Sequence, residues 1–536
     1  MDKTNEPLRD AHPGALARSI PRYSVYALVI LSLVNFLNYI DRQVLPAVAT
    51  SLLADKSLNL SDADIGFMEL SLLLSFTILA PIFGRLGDRY PRAKLMAVAA
   101  VLWSIATALT GLVDRLPFVH GMLRLHVPLV NLSLTLSGVT LALCAVRACV
   151  GVGESAYSTI TPSLIADYFP PHRRATALGV FQAAIPMGFA LGFVIGGVLA
   201  HFFGWRVAFM LVGVPGLFAA ALVWRLREPV RGATDTPPPQ SALQETALQE
   251  SVLQETTLSQ SALSQSALSQ SALQETTLQE SSLDDVTASS VEASREASRD
   301  AVEAGGGEPL LQTAWRILKT RDWLISTAGY TALTAALGAF ATWAIVVLVR
   351  DKGMSQTSAN ITLGVMTLLA GAAGTFGGGW LADRFAARRH NAYFLVCAIS
   401  TLLGIVPTLL VLVADDPRVY LPATFFAVAL LFVSNAPFHA ILLGSVPVGV
   451  RATAVALNIV IIHACGDAIS RALVGVLSDS LKEGHFAALA SLAGVLGIDA
   501  GRQHLTTALL IAPAALMVST TLFFIGAKMQ KRPAAR

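Results

Sequence analysis

"GRLGDRYPRAK" (Gly84–Lys94) and "GWLADRFAARR" (Gly379–Arg389) are one turn written twice. Gly84 aligns with Gly379, Asp88 with Asp383 and Arg89 with Arg384, at an offset of 295 residues. A second echo pairs "RATALGV" (174–180) with "RATAVAL" (451–457) at an offset of 277. Between its two markers the first half is therefore 18 residues longer than the second, and "DRLPFVHGMLRLHVPLVN" (114–131) reads as the insertion, an outer loop. The same Gly-x-x-x-Asp-Arg turn at matching places in two halves points to a duplicated design. Two related halves around a midplane site are a transporter architecture.

The runs between these markers are apolar. The chain has 536 residues, 54% hydrophobic and 14% charged, with mean hydropathy +0.61. A soluble domain averages about 25% charged residues. Crossing a bilayer takes about 20 mostly apolar residues, and twelve runs qualify: 24–48, 62–83, 93–113, 131–158, 172–202, 206–226, 322–350, 357–381, 391–413, 419–443, 451–480 and 503–527. The expected fold is an all-α membrane protein of twelve transmembrane helices in two pseudo-symmetric six-helix halves.

Basic residues gather in alternate loops: Arg85, Arg89, Arg92 and Lys94, then Arg173 and Arg174, then Arg384, Arg388 and Arg389, and finally Lys528, Lys531, Arg532 and Arg536. The other loops are poorer in basic residues, although Arg115, Arg124, Arg350, Lys352 and Arg418 fall there. The positive-inside rule places both termini and the central linker in the cytoplasm, in an inner or plasma membrane. The first residues mix charges with three prolines, and no small-residue cleavage site follows a short apolar core, so a tail before a retained span is expected rather than a signal peptide. The layout is then a tail (1–22), a six-helix half (23–227), a linker (228–310), a second half (311–527) and a tail (528–536). Cys144, Cys149, Cys397 and Cys465 lie in apolar stretches with no zinc-site spacing.

The linker changes character. Nine leucines recur every five residues from Leu243 to Leu283. That period makes neither a helical stripe nor a strand face. It resembles pentapeptide repeats, but the polar residue usual before leucine is missing, and a mobile linker is the expectation.

Polar residues inside the spans carry the functional reading. In "NFLNYIDRQVLPAV" (35–48), Asn35, Asn38 and Arg42 share a helix face, and Asp41 flanks it. Arg147 and Glu154 are two turns apart in span four. Charge in hydrocarbon costs roughly 2.5–3.5 kcal/mol per residue, so these groups face protein or water. A carboxylate beside a movable arginine suits proton coupling, with Asp41 and Glu154 as carriers and Arg42 and Arg147 as partners or anion contacts. A permanent ordering pair is the alternative. In span eleven, His463, Asp467 and Arg471 form one stripe, either a relay or anion site, or a bracing network. In span ten, Asn435 and His439 either meet a polar head group or satisfy the core. One His and one carboxylate make too few ligands for a metal. Gly188, Gly192 and Gly196 in "GFALGFVIGG" form a stripe for close helix crossing.

The paired inner turns resemble the major facilitator superfamily, whose motif reads Gly-x-Leu-Ala-Asp-Arg followed by basic residues. Glycine permits close helix approach, and the carboxylate can sit at a helix N-terminus or pair with arginine. The gating motif maps onto Gly84, Asp88, Arg89, Arg92, Gly379, Asp383 and Arg384. The alternative is charge placed by topology alone. Three further stretches, "LNYIDRQVLPAV" (37–48), "RACVGVGESAYSTITPSLIADYFPPHRRATALG" (147–179) and "ALNIVIIHACGDAISRALVGVLSD" (456–479), resemble the Spinster family. Departures are the Ser155-Ala156 order, Gly444 where Asp is common, and Arg471 where Pro is common. The resemblance implies export or redistribution of lysolipids and sphingoid lipids linked to proton movement.

The expected partners are a small amphipathic or anionic substrate, protons and the bilayer, without nucleic acid, for a monomer using a proton gradient and no cofactor. A proton symporter of a polar organic anion is the second reading, and a receptor or scaffold without transport the third. No catalytic constellation, phosphate loop or metal motif suggests an enzyme.

Overall fold

The computed structural model describes residues 22–115, 122–127, 132–229, 310–447 and 450–530. The leucine-repeat tract lies outside the described residues. Eleven of the described helices are long and apolar enough to cross a membrane. One of them, Pro171–Trp224, runs for 54 residues, about twice a bilayer's thickness at 1.5 Å per residue. It breaks at Gly204, whose φ of 79° is a left-handed conformation that suits glycine. The break divides it into two crossings, which makes twelve among the described residues.

The first half consists of span one (Arg22–Ala54), span two (Asp62–Arg89), span three (Arg92–Thr110), span four (Gly138–Tyr168), and spans five and six on either side of Gly204. The second half consists of span seven (Arg321–Arg350), span eight (Gln356–Ala386), span nine (Ala392–Val413), span ten (417–444), span eleven (451–482) and span twelve (504–529). A short helix, Leu310–Leu318, leads into span seven. Local chemistry sets several starts. Ser61 and Asp64 form a reciprocal capping box on span two, and Ser137 caps span four by accepting from the Thr140 N–H.

One boundary is corrected. Residues 132–137, expected to begin span four, form a strand paired antiparallel with Met122–Val127, from Met122↔Ser137 to Val127↔Leu132. The reason is the period. "LSLTLS" alternates apolar and polar residues, which fits an extended strand and gives a helix no stripe. Span four therefore begins at Gly138, and the two paired strands lie in the long insertion that precedes it.

The two halves meet through spans one, two and five against spans seven, eight and eleven. Hydrogen bonds join the halves from the middle of the bundle to the end away from the basic loops. At that end Asp62 of span two accepts from Arg350 Nη1 and Nη2 (3.0 and 3.1 Å), Lys482 Nζ (3.1 Å) and Ser478 Oγ (2.6 Å). The exchange is reciprocal. Asp479 of span eleven accepts from the Ala63 and Asp62 N–H groups at the start of span two (2.7 and 3.4 Å), where the helix dipole favours an anion. Gln356 and Asn360 of span eight both donate to the Ala47 carbonyl of span one (2.9 and 3.0 Å). This end is shut by direct contacts.

Candidate functional site

Between the end loops, the spans of this bundle hold few charges, most of them buried. Span one contributes Asp41 and Arg42, span two Glu69, span four Arg147 and Glu154, and span eleven Asp467 and Arg471. Pro46 lies four residues after Arg42 and has no N–H, so the Arg42 carbonyl loses its helical partner beside the charges.

The pairing is crossed. Arg42 does not hold its neighbour Asp41. Its Nε donates to Glu154 Oε2 at 2.5 Å, and its guanidinium lies over the rings of Phe76 (4.8 Å) and Tyr39 (5.3 Å). Asp41 instead accepts from the Thr107 hydroxyl, and its other oxygen is 4.0 Å from Arg147 Nη1. Arg147 is fully buried, and its three guanidinium nitrogens make no hydrogen bond. On its other side lies Glu69, with Oε1 3.9 Å from Arg147 Nη2. Glu69 is a member of this charge cluster that the motif reading missed. It stands alone in "IGFMELSLLL", and an isolated intramembrane carboxylate was the available signal.

Glu69 joins the halves. Its Oε2 accepts from Arg471 Nη1 at 2.8 Å, and that nitrogen also donates to Thr342 of span seven at 3.1 Å. Arg471 in turn lies 3.9 Å from Asp467, and His463 Nδ1 is 3.2 Å from both Asp467 oxygens. The stripe expected in span eleven is therefore assembled. A π-turn over Ile462–Ala468 widens the helix there, a distortion frequent at functional sites. Phe76 of span two meets the His463 ring edge-on at 6.0 Å and also lies under Arg42, so it stands between the two clusters.

The remaining polar candidates separate. Asn35 donates to the Phe181 carbonyl of span five (3.0 Å), whereas the Asn38 amide is buried without a hydrogen bond. Asn435 accepts from Tyr330 (2.7 Å), and His439 contacts the Asn435 carbonyl through Nδ1 (2.8 Å) on an exposed surface. Tyr330 stacks on Phe438 with ring centres 3.8 Å apart. Among the described residues no group of three His, Cys, Asp or Glu could hold a metal.

Among the described residues at the basic-loop end, Asp383, Arg384 and Arg92 find partners within their own half. Asp383 is exposed and accepts from Tyr393 (3.1 Å); Arg384 lies over Trp380 (5.8 Å); Arg89 is exposed; the Asp88 side chain lies outside the described residues. Arg92 is bound within its own half, to Asp167 (2.6 Å) and Glu228 (2.7 Å). The close approach is not made at Gly84 or Gly379, where an added Cβ would find ordinary contacts at 3.5 and 3.4 Å. It is made at Gly87 and Gly378, where that atom would come within 2.9 Å of Ile160 and 2.2 Å of the Val433 carbonyl.

Two six-helix halves, closed at one end around buried paired charges, define a membrane carrier. The signature of the Major Facilitator Superfamily matches residues 31–470, and the chain belongs to that family. It is a transporter and not an enzyme. Among curated proteins it is similar to protein spinster homolog 1 of Xenopus laevis, 27% identical over 91% of this chain and 81% of that protein. It is also similar to a sphingosine-1-phosphate transporter of Danio rerio, 26% identical over 87% of this chain and 78% of that one. Its fold matches the crystal structure of a bacterial homolog to the human lysosomal transporter Spinster in an inward-facing, unoccupied conformation, with TM-score 0.68 and 19% identity over 95% of this chain and 98% of that one.

Proposed function

We propose that this protein is an alternating-access, proton-coupled carrier of a small amphipathic molecule with an anionic head, of the lysolipid or sphingoid type. The charge count carries the reading. The interior spans hold four carboxylates (Asp41, Glu69, Glu154, Asp467) and three arginines (Arg42, Arg147, Arg471). Fully ionised, the cluster is one negative charge in excess, in surroundings that favour neutrality. One proton, on a carboxylate or on His463, balances it. A cargo anion adds a negative charge beside Arg42 and Arg147 and raises the demand for a proton, which couples the two.

Asp41 and Glu154 are the proposed proton carriers, and Arg42 and Arg147 their partners and the anion contacts. Asn35, Asn38, Asn435, His439, His463, Asp467 and Arg471 are proposed to line the path. The lipid-like cargo is suggested by the relative named as a sphingosine-1-phosphate transporter. The released Asp383 and the sealed opposite end support a resting state open toward the basic loops. We take that side as cytoplasmic, with both termini and the 228–310 linker there, in a plasma or inner membrane, for a monomer of two halves at 23–227 and 311–527.

The test is flux of labelled lysolipid and of a labelled organic acid into proteoliposomes, with and without an imposed pH gradient. Gradient-driven lysolipid flux is the expected result. Gradient-driven flux of the acid alone would transfer the site to a polar anion. No flux of either would leave a membrane protein of this fold with another role.

A further inference from the structure

We propose that Glu69 is a positioning carboxylate shared between the two halves. While the end away from the basic loops is shut, Glu69 holds Arg471 of span eleven; when that end opens, it retracts onto Arg147 of its own half. This inference rests on the alternating-access reading above.

The geometry carries it. Glu69 is 2% exposed and stands between two arginines, one from each half. Its Oε2 is bonded to Arg471 at 2.8 Å, while its Oε1 makes no hydrogen bond and faces Arg147 Nη2 at 3.9 Å. Arg147 has three unbonded nitrogens to offer. Arg471 likewise keeps partners within its own half, Thr342 at 3.1 Å and Asp467 at 3.9 Å, and Trp343 fixes its backbone by donating to the Arg471 carbonyl (2.9 Å). Separating the halves therefore leaves neither charge alone: Glu69 falls back on Arg147, and Arg471 on Asp467. A buried pair that breaks without such substitutes is strongly penalised. This one can exchange partners.

The pair also sits at a close approach of the halves. An added Cβ on Gly66, one turn before Glu69, would come 2.7 Å from the Ala472 Cα and 2.8 Å from the Arg471 carbonyl. Glu69 lies about 10 Å along span two from the Asp62 clamp at 1.5 Å per residue. Arg147 lies 4.0 Å from Asp41, so a carboxylate arriving at Arg147 changes the field at Asp41. Glu69 would thus report the state of the outer seam to the proposed proton site.

The test uses the full chain in nanodiscs with its native cysteines replaced and Ala63→Cys introduced at the seam of spans two and eleven. The alkylation rate by a water-soluble maleimide reports the fraction of time that the seam is open. Arg471→Gln is expected to raise the rate by about tenfold or more; Arg471→Lys, which keeps the cation, should stay near the parent. Arg147→Gln should lower the rate, because the open state loses its substitute partner. Parent-like rates in Arg471→Gln, or no slowing in Arg147→Gln, overturn the proposal, and a static brace would lower melting temperatures without moving the rates. If Arg147→Gln does not fold, Glu69→Asp replaces it. One methylene shorter, aspartate does not reach both arginines, so labelling should rise, and a parent-like rate overturns the proposal. Labelling needs neither substrate nor gradient, so failure here and failure of the transport reading are separate results.

Discussion

Arg42 and Asp41 are neighbours in the chain, yet each serves a different partner, and this changes what their removal does. Losing Arg42 leaves Glu154 without its cation, not Asp41. A buried charge left alone costs roughly 3–5 kcal/mol, so Arg42→Gln should lower the melting temperature strongly. Adding Glu154→Gln should recover most of that loss, while adding Asp41→Asn should not. A thermal melt of the three variants in detergent decides it, and equal recovery from either second change would contradict the crossed pairing. Outside the membrane, Asp55 makes a simpler case. It accepts from the Ser57 hydroxyl and N–H, Trp205 Nε1 and Arg206 Nη1. These bonds, led by the Ser57 hydroxyl, hold its carboxyl well below the usual carboxylate range against the opposing effect of burial. A depressed folded-state pKa gives stability that is present above the unfolded pKa and lost only as pH falls through the folded one. The deficit of Asp55→Asn relative to the parent should therefore be as large at pH 5 as at pH 7, about one to three pH units above the ordinary aspartate value. A deficit already gone at pH 5 would contradict it.

At the scale of elements, close helix crossings set the site's dimensions. The stripe Gly188, Gly192 and Gly196 of span five packs against the part of span one that carries Asp41 and Arg42. An added Cβ on Gly192 would come 2.7 Å from Gln43 Cβ and 2.8 Å from the Ile40 carbonyl. Backbone cannot yield as a flexible side chain can, so Gly192→Leu should cost at least about 1–3 kcal/mol, the usual penalty of overpacking. Gly179, in the same long helix, has nothing within 4 Å of an added Cβ. Gly179→Ala should be neutral or gain up to about 1 kcal/mol from helix propensity. Equal melting temperatures for the two variants would refute the crossing as the cause. The stripe was legible from its spacing. Its partner was not, because spacing names the face of one helix and says nothing of which helix meets it.

For the whole molecule, the decisive contact is the reciprocal clamp at the shut end. Asp62 takes two cations and a hydroxyl from the second half, and Asp479 takes the first N–H groups of span two. Asp62→Asn leaves Arg350 and Lys482 facing a neutral amide, so this end should open. Distance distributions between spin labels at Lys56 and Glu483, which flank the seam, should gain a longer component. An unchanged distribution would mean that spans one, five and eight hold the end shut without the clamp.

The sequence by itself determined the number of crossings, the duplication and the buried charges of spans one, four and eleven. Each of these is a local property: the length of an apolar run, a motif repeated at a fixed offset, or a charge where hydrocarbon is expected. The strand pair 122–127 and 132–137 was also written locally, in the period of "LSLTLS", but was obscured by its apolar content. Only the tertiary structure decided that Arg42 belongs to Glu154, that Gly87 and Gly378 make the tight approaches, and that Glu69 links both halves. These depend on which helix faces stand opposite one another. Glu69 and Arg471 are 402 residues apart, and the 2.8 Å contact between them exists only where spans two and eleven cross.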